Sequence, residues 1–152
     1  MAAANYDISV KQDNTFNFHV EYYDDNGNAV DVSSYTGTRF QVRPNLANIY
    51  KYLDVTTSGV TGGGTTGDWL AGVTLRNGLT WTSAGVRGTG GIYMNAGETS
   101  GVFTGGIRIS VDATTMSYIP VGTWVYGLDL VQGATVSELM TGRFIVSDKV
   151  VR

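Results

Sequence analysis

Apolar residues in this chain recur at every second position, in run after run. In "TFNFHVEYY", Phe16, Phe18, Val20 and Tyr22 fall on one side and Asn17, His19 and Glu21 on the other. An extended strand points successive side chains to opposite faces, so this spacing builds half-buried strands and disfavours a long helix. The pattern returns in "TRFQVR" (Phe40, Val42), "GIRISVD" (Ile107, Ile109, Val111), "TWVYGLDLV" (Trp124, Tyr126, Leu128, Leu130) and "RFIVSDKVV" (Phe144, Val146). The breaks between runs carry turn chemistry. Asn26-Gly27 and Gln132-Gly133 are expected hairpin tips, and Pro44 ends its strand by withholding a ladder hydrogen bond. Only residues 45–58 show helical spacing, with Leu46, Ile49, Tyr50 and Leu53 on one face, and at most two helical turns are expected there.

At least six strands joined by short turns predict an all-β chain, an antiparallel β-sandwich of immunoglobulin-like type in a single domain spanning 1–152. No Cys-Trp-Cys signature accompanies it, since the chain has no cysteine. One region departs from the strand grammar: 15 of the 21 glycines lie between 59 and 106, so 45–106 reads as a long glycine-rich insertion of loops and short hairpins. Within it "VTLRNGLTW" has the form of a hairpin turning at Asn77-Gly78.

Composition narrows the function classes. The formal charge is −3 and the 10 Lys and Arg residues are scattered, so phosphate neutralisation is not expected to drive binding and no nucleic-acid partner is predicted. Without cysteine there is no disulfide frame, thiolate metal site or thiol nucleophile. The start "MAAANYDISV" lacks a basic and apolar leader, and no apolar run approaches the ~20 residues that span a bilayer. A soluble chain with no membrane association and no cleaved signal is expected.

Local motifs yield no catalytic or cofactor site. "GGGTTG" at 62–67 satisfies the glycine spacing of a dinucleotide loop, but a hairpin pattern follows it rather than a helix. "DDNGN" at 24–28 has the oxygens of a calcium loop without the closing Glu, and reads as a hairpin. His19 is the sole histidine and sits on the polar side of its strand, where a solvent-facing role is expected. The carboxylates lie mostly at turns, and no pair is singled out for hydrolysis. The expectation is a protein that is not an enzyme, with no cofactor and no metal.

The remaining candidates are rings flanked by small residues. Trp69, Trp81, Tyr93 and Phe103, together with Arg76, fall in the glycine-rich region and form the candidate partner interface. The competing reading makes these rings the insertion's own small core.

Two stretches carry a family likeness. "YDISVKQDNTFNFHVEYYDDNGNAVDVSSYTGTRFQVR", followed later by "IPVGTWVYGLDLV" and "LMTGRFIVSDKVV", resembles a group of tailed-bacteriophage virion proteins. The layout is similar to the immunoglobulin-like N-terminal module of phage baseplate upper proteins and related tail proteins. The matching residues are Gln12, Thr15 and Phe16; Asp24, Gly27, Val30, Asp31 and Tyr35; Pro120, Gly122, Trp124 and Tyr126; and Gly142, Phe144 and Val146. The likeness covers residues 6–44 and 107–151. It implies a non-enzymatic virion component, tail or baseplate associated, that is assembled in the host cytoplasm. Its partners would be other virion proteins or further copies of itself. The likeness carries nothing over for 45–106; that insertion and the segment 1–7 are expected, from the residues alone, to face neighbouring subunits. Two alternatives stand beside it: a capsid decoration (cement) protein, and a host-glycan-binding module acting through Trp69, Trp81 or Tyr93.

Overall fold

The computed structural model describes residues 4–33, 35, 37–47, 51–57, 59–62, 86–99 and 101–150. The chain is an all-β sandwich of two sheets. The strands are β1 (Ala4–Asn5), β2 (Ile8–Lys11), β3 (Phe16–Glu21), β4 (Gly37–Arg43), β5 (Leu53–Thr56), β6 (Gly59–Gly62), β7 (Val86–Gly88), β8 (Gly90–Ala96) and β9 (Val102–Val111). A one-turn helix, α1 (Ala113–Met116), then leads to β10 (Gly122–Gln132) and β11 (Thr135–Ser147). The larger sheet runs β1-β11-β10-β4-β5-β6-β7, with β2 also on β11, and the smaller runs β3-β9-β8.

The alternation read from the sequence is the alternation of burial. Phe40, Val42, Ile107, Ile109, Val111, Leu128 and Phe144 are sealed between the sheets, while Arg39, Asn17 and Arg143 face outward. Four rings tie the sheets together. Phe16 of the smaller sheet lies 5.9 Å from Phe40 and 5.5 Å from Phe144 of the larger, and Phe40 lies 5.4 Å from Tyr126. Trp124 packs at the margin of this core, edge-on to Tyr52, and its indole N–H donates to the Pro120 carbonyl at 2.8 Å.

Three local expectations change. The β10–β11 hairpin turns on Gly133 and Ala134, one place later than Gln132-Gly133, because Gln132 pairs with Thr135. A two-residue loop of this kind takes positive φ at its first central residue, and Gly133 supplies it at +60°. No helix occurs among the described residues of 45–58. Leu53 and Val55 are instead buried on β5, paired to β4, whereas Leu46 is 85% exposed. β-branched Val55 and Thr56, with a strand edge waiting at β4, override the weak helical spacing. Finally, residues 45–106 are not loops alone: β5 and β6 extend the larger sheet, and β8 supplies a third of the smaller, with Ile92 in the core. The hairpin expected over 73–81 lies outside the described residues.

The N-terminal segment is a parallel strap on the last strand. Ala4 and Asn5 pair with Met140 and Thr141, and Ile8 to Lys11 pair with Phe144 to Ser147. Between the two pieces the Asp7 carboxylate accepts bonds from the Arg143 backbone N–H at 3.1 Å and from its guanidinium at 2.7 Å, and these hold it below the usual carboxylate range. The Tyr126 phenol donates to the Tyr6 carbonyl at 2.6 Å, and burial, with Asp7 adding to it, pushes its pKa up to about 12. The unfolded phenol ionises near pH ~10, so the stability held by neutral Tyr126 is complete below pH ~10 and is lost as pH rises toward ~12. The full loss is about 3 kcal/mol, from ~1.4 kcal/mol per pKa unit. Chemical denaturation at pH 9 and pH 11.5 is expected to show this decline, and Tyr126→Phe to be weaker at pH 9 but visibly flatter across the interval. An equal decline in the variant would assign the effect to other tyrosines, such as Tyr52, whose phenol is also raised by burial.

Candidate functional site

Tyr93 and Phe103, two of the five sequence candidates, stand on the outward face of the smaller sheet. Trp69, Arg76 and Trp81 lie outside the described residues. Strand register explains the placement. Ile92 and Met94 turn toward the core, so Tyr93 turns away from it and pairs with Arg108 of β9. Arg108 in turn pairs with His19 of β3, giving an outer row His19–Arg108–Tyr93 across all three strands.

The row is organised by contacts among its members. The Arg108 guanidinium sits 4.6 Å from the centre of the Tyr93 ring, a cation–π geometry, and also donates to the Thr99 carbonyl, drawing the β8–β9 loop over the sheet. His19 Nε2 lies 2.9 Å from the Ala96 carbonyl, a bond that fixes the imidazole as donor there, and the ring meets Phe103 edge-on at 6.1 Å. His19 is therefore a half-buried spacer between strands rather than the solvent-facing side chain expected. Tyr93 remains 43% exposed, Phe103 38% and the neighbouring Val102 89%. Apolar and aromatic surface is thus held in fixed positions at the rim of the sheet.

A buttress that sequence reasoning missed supports this rim. Asn95 interrupts the β8–β9 ladder at φ +51°, and its side-chain oxygen accepts from Val32 N–H at 3.2 Å and Gly105 N–H at 3.1 Å. Its amide donates to Asp31 at 2.8 Å. The Asp31 carboxyl is held low, first by the Ser33 backbone N–H and then by Asn95. The loop from Tyr22 to Ser33 is so pinned against Gly105 and Asn95. The only sequence signal was an Asn inside an otherwise strand-like run, a residue type that tolerates positive φ.

The acidic turn at 24–28 does not present a cation cage. Asp24 spends one carboxylate oxygen on the Asn26 and Asn28 N–H groups, both at 2.9 Å, and Gly27 at φ +82° closes the hairpin. Among the described residues no group of three or more His, Asp or Glu is placed to hold a metal.

The chain matches no family model and no curated protein. The molecule carries a second notable surface. On the outer face of the larger sheet Gly127 leaves a shallow depression of about 180 Å³, bordered by Arg39, Gln41, Asp129, Glu138 and Thr141. Arg39, Asp129 and Glu138 occupy one register row across β4, β10 and β11. This face sets side chains of mixed charge beside the exposed Leu46 and the half-buried Val125, whereas the rim of the smaller sheet is aromatic.

Proposed function

We propose that this chain is a non-enzymatic virion structural protein of a tailed bacteriophage, tail or baseplate associated, that docks onto other virion proteins. The observation that carries the reading is the aromatic rim: Tyr93 and Phe103 stay exposed although Arg108 packs on one ring and His19 on the other, and Val102 beside them is more exposed still. Ordering apolar side chains at a surface without burying them gains nothing for the free fold, and preorganised aromatic anchors are what protein interfaces use. The strand order supports the family likeness. On that reading β3, β4, β5, β6, β8, β9, β10 and β11 would correspond to B, C, C′, C″, D, E, F and G of a variable-type immunoglobulin sandwich. The residues of the likeness fall at working positions of that frame, with Phe16, Tyr126 and Phe144 in its central ring cluster.

The rim favours a protein partner over a glycan. The Arg108 guanidinium already occupies one face of Tyr93, and Phe103 is engaged edge-on by His19, so neither ring offers the clear platform that sugar stacking uses.

Immunogold labelling of purified particles, with antibody raised against the recombinant chain, tests the assignment. Label at the tail or its tip is the expected result. Label over the head transfers the protein to the decoration alternative, and particles that carry none of it overturn the virion reading. Tyr93→Ala with Phe103→Ala is expected to cut incorporation at least tenfold while leaving the urea midpoint within about 1 M of the parent, since truncating interface anchors costs about 2 kcal/mol or more each.

A further inference from the structure

We infer that the N-terminal strap, residues 4–12, exchanges between two copies of this chain, each copy laying its strap along β11 of the other. The occupant of the β11 edge is defined by the structure itself, because the register and side-chain pockets that receive this segment are already seen filled by it. The bonds that hold the strap run to β10, β11 and the loop ahead of β10. Tyr6 N–H donates to the Thr141 carbonyl, Tyr126 donates to the Tyr6 carbonyl, and Arg143 binds Asp7. Gln12 N–H reaches the Ser147 carbonyl at 2.9 Å, and its buried amide donates to the Ile119 carbonyl at 3.0 Å. Ile8 completes the set by entering the core. All of these can form between copies as well as within one, so the exchanged and unexchanged states differ chiefly at the hinge.

That hinge is short and holds an unfavourable conformation. Asp13, Asn14 and Thr15 alone separate the strap, which belongs to the larger sheet, from β3, which belongs to the smaller. To turn between sheets the chain bends tightly enough for Asn14 N–H to reach the Lys11 carbonyl, and Asp13 takes φ +67°. A left-handed backbone carries a cost for a residue with a Cβ, smaller for Asp than for most, and a short hinge under strain favours exchange. Opened out, the three hinge residues reach about 10 Å and free Asp13 from that conformation. The segment emerges at the sheet rim, with Ala4 and Asn5 exposed, so no other element has to unfold to release it.

The inference deepens the assembly reading above but needs no virion to test it, so its failure leaves the particle labelling untouched. The absence of cysteine makes engineered thiols unambiguous. Ser9 and Ile145 are register partners. Chains carrying Ser9→Cys alone and Ile145→Cys alone, one of them isotope-labelled, are unfolded together, refolded at high concentration and oxidised. A covalent dimer joined 9-to-145, found by mass spectrometry after joint refolding and not after mixing folded chains, is expected. Absence of that linkage, or its equal abundance in both protocols, overturns the exchange. The pair Asn5→Cys and Thr141→Cys repeats the test at the other end of the strap. Asp13→Gly relieves the strain and is expected to raise the dimer dissociation constant about two- to fivefold per hinge, or roughly 4- to 25-fold for two, in sedimentation equilibrium. A dimer equally tight in Asp13→Gly also counts against the proposal.

Discussion

Phe40→Ala is expected to remove about 3–5 kcal/mol of stability, among the largest losses from a single truncation in the described core. Phe40 has no exposure, and its ring is the meeting point of the two sheets, lying against Phe16 on one side and against Tyr126 and Phe144 on the other. Those three neighbours belong to three different strands, so no local shift closes the cavity that truncation leaves. Unfilled volume forfeits both the transfer free energy and the contacts of the surrounding rings. A domain of this size holds about 5–15 kcal/mol in total, so the variant sits near its folding threshold. Urea unfolding followed by tryptophan fluorescence measures the effect as a lowered midpoint at unchanged slope. Phe103→Ala provides the contrast. With a ring already 38% exposed at the rim, it is expected to cost only about 1–2 kcal/mol. Equal losses would mean that the rim ring, rather than the inter-sheet ring, anchors the fold.

The same contrast separates what could be read in the sequence from what could not. Period-2 spacing assigns Phe40, Ile109, Leu128 and Phe144 to the core because burial on a strand depends on position parity, which is local. It gave the right result for Trp124 and Tyr126 as scaffold for the same reason. Helical spacing misled at Leu53, which with Leu46, Ile49 and Tyr50 suggested one face of a helix until β4 offered an edge to pair with, a tertiary fact; Ile49 and Tyr50 themselves lie outside the described residues. Glycine density misled in a related way. A run such as "GGIYMNA" has little side chain to mark it as a strand, yet β9 recruits it as the third strand of the smaller sheet. The rim candidates show the limit most clearly. Tyr93 and Phe103 were identifiable as rings among small residues, but the side chains that fix them, His19 and Arg108, lie on strands brought alongside only by register. His19 is 77 positions from its carbonyl partner Ala96, and Asn95 is 64 from Asp31. Separations of that length leave no trace in local pattern.

Gly142→Ala is expected to unfasten the N-terminal strap while leaving the sandwich folded. The position looks innocuous, an inward-facing site on β11 opposite Tyr126. A methyl group there, however, would collide with the Tyr6 carbonyl oxygen, meet the carbonyl carbon at 2.8 Å and press on the Tyr126 ring at 3.2 Å. Backbone cannot step aside as a flexible side chain would, so Tyr6 has to move. Its displacement breaks the 2.6 Å bond from the Tyr126 phenol and the Tyr6 N–H bond to Thr141, and it lifts Ala4 and Asn5 from β11. A buried phenol deprived of its acceptor costs about 1–3 kcal/mol, and the lost strap pairing adds to that. Hydrogen exchange locates the damage. Amides of residues 5–7 are expected to lose protection at least tenfold, while those of β4 and β9, which carry Phe40 and Ile109, keep theirs. Tyr126→Phe isolates one component, since it removes the phenol donor without moving Tyr6, and should loosen the strap less. If Gly142→Ala instead lowers protection evenly across both sheets, the strap is an inseparable part of the cooperative fold, and the latch formed by Gly142, Tyr126 and Tyr6 is not a local device.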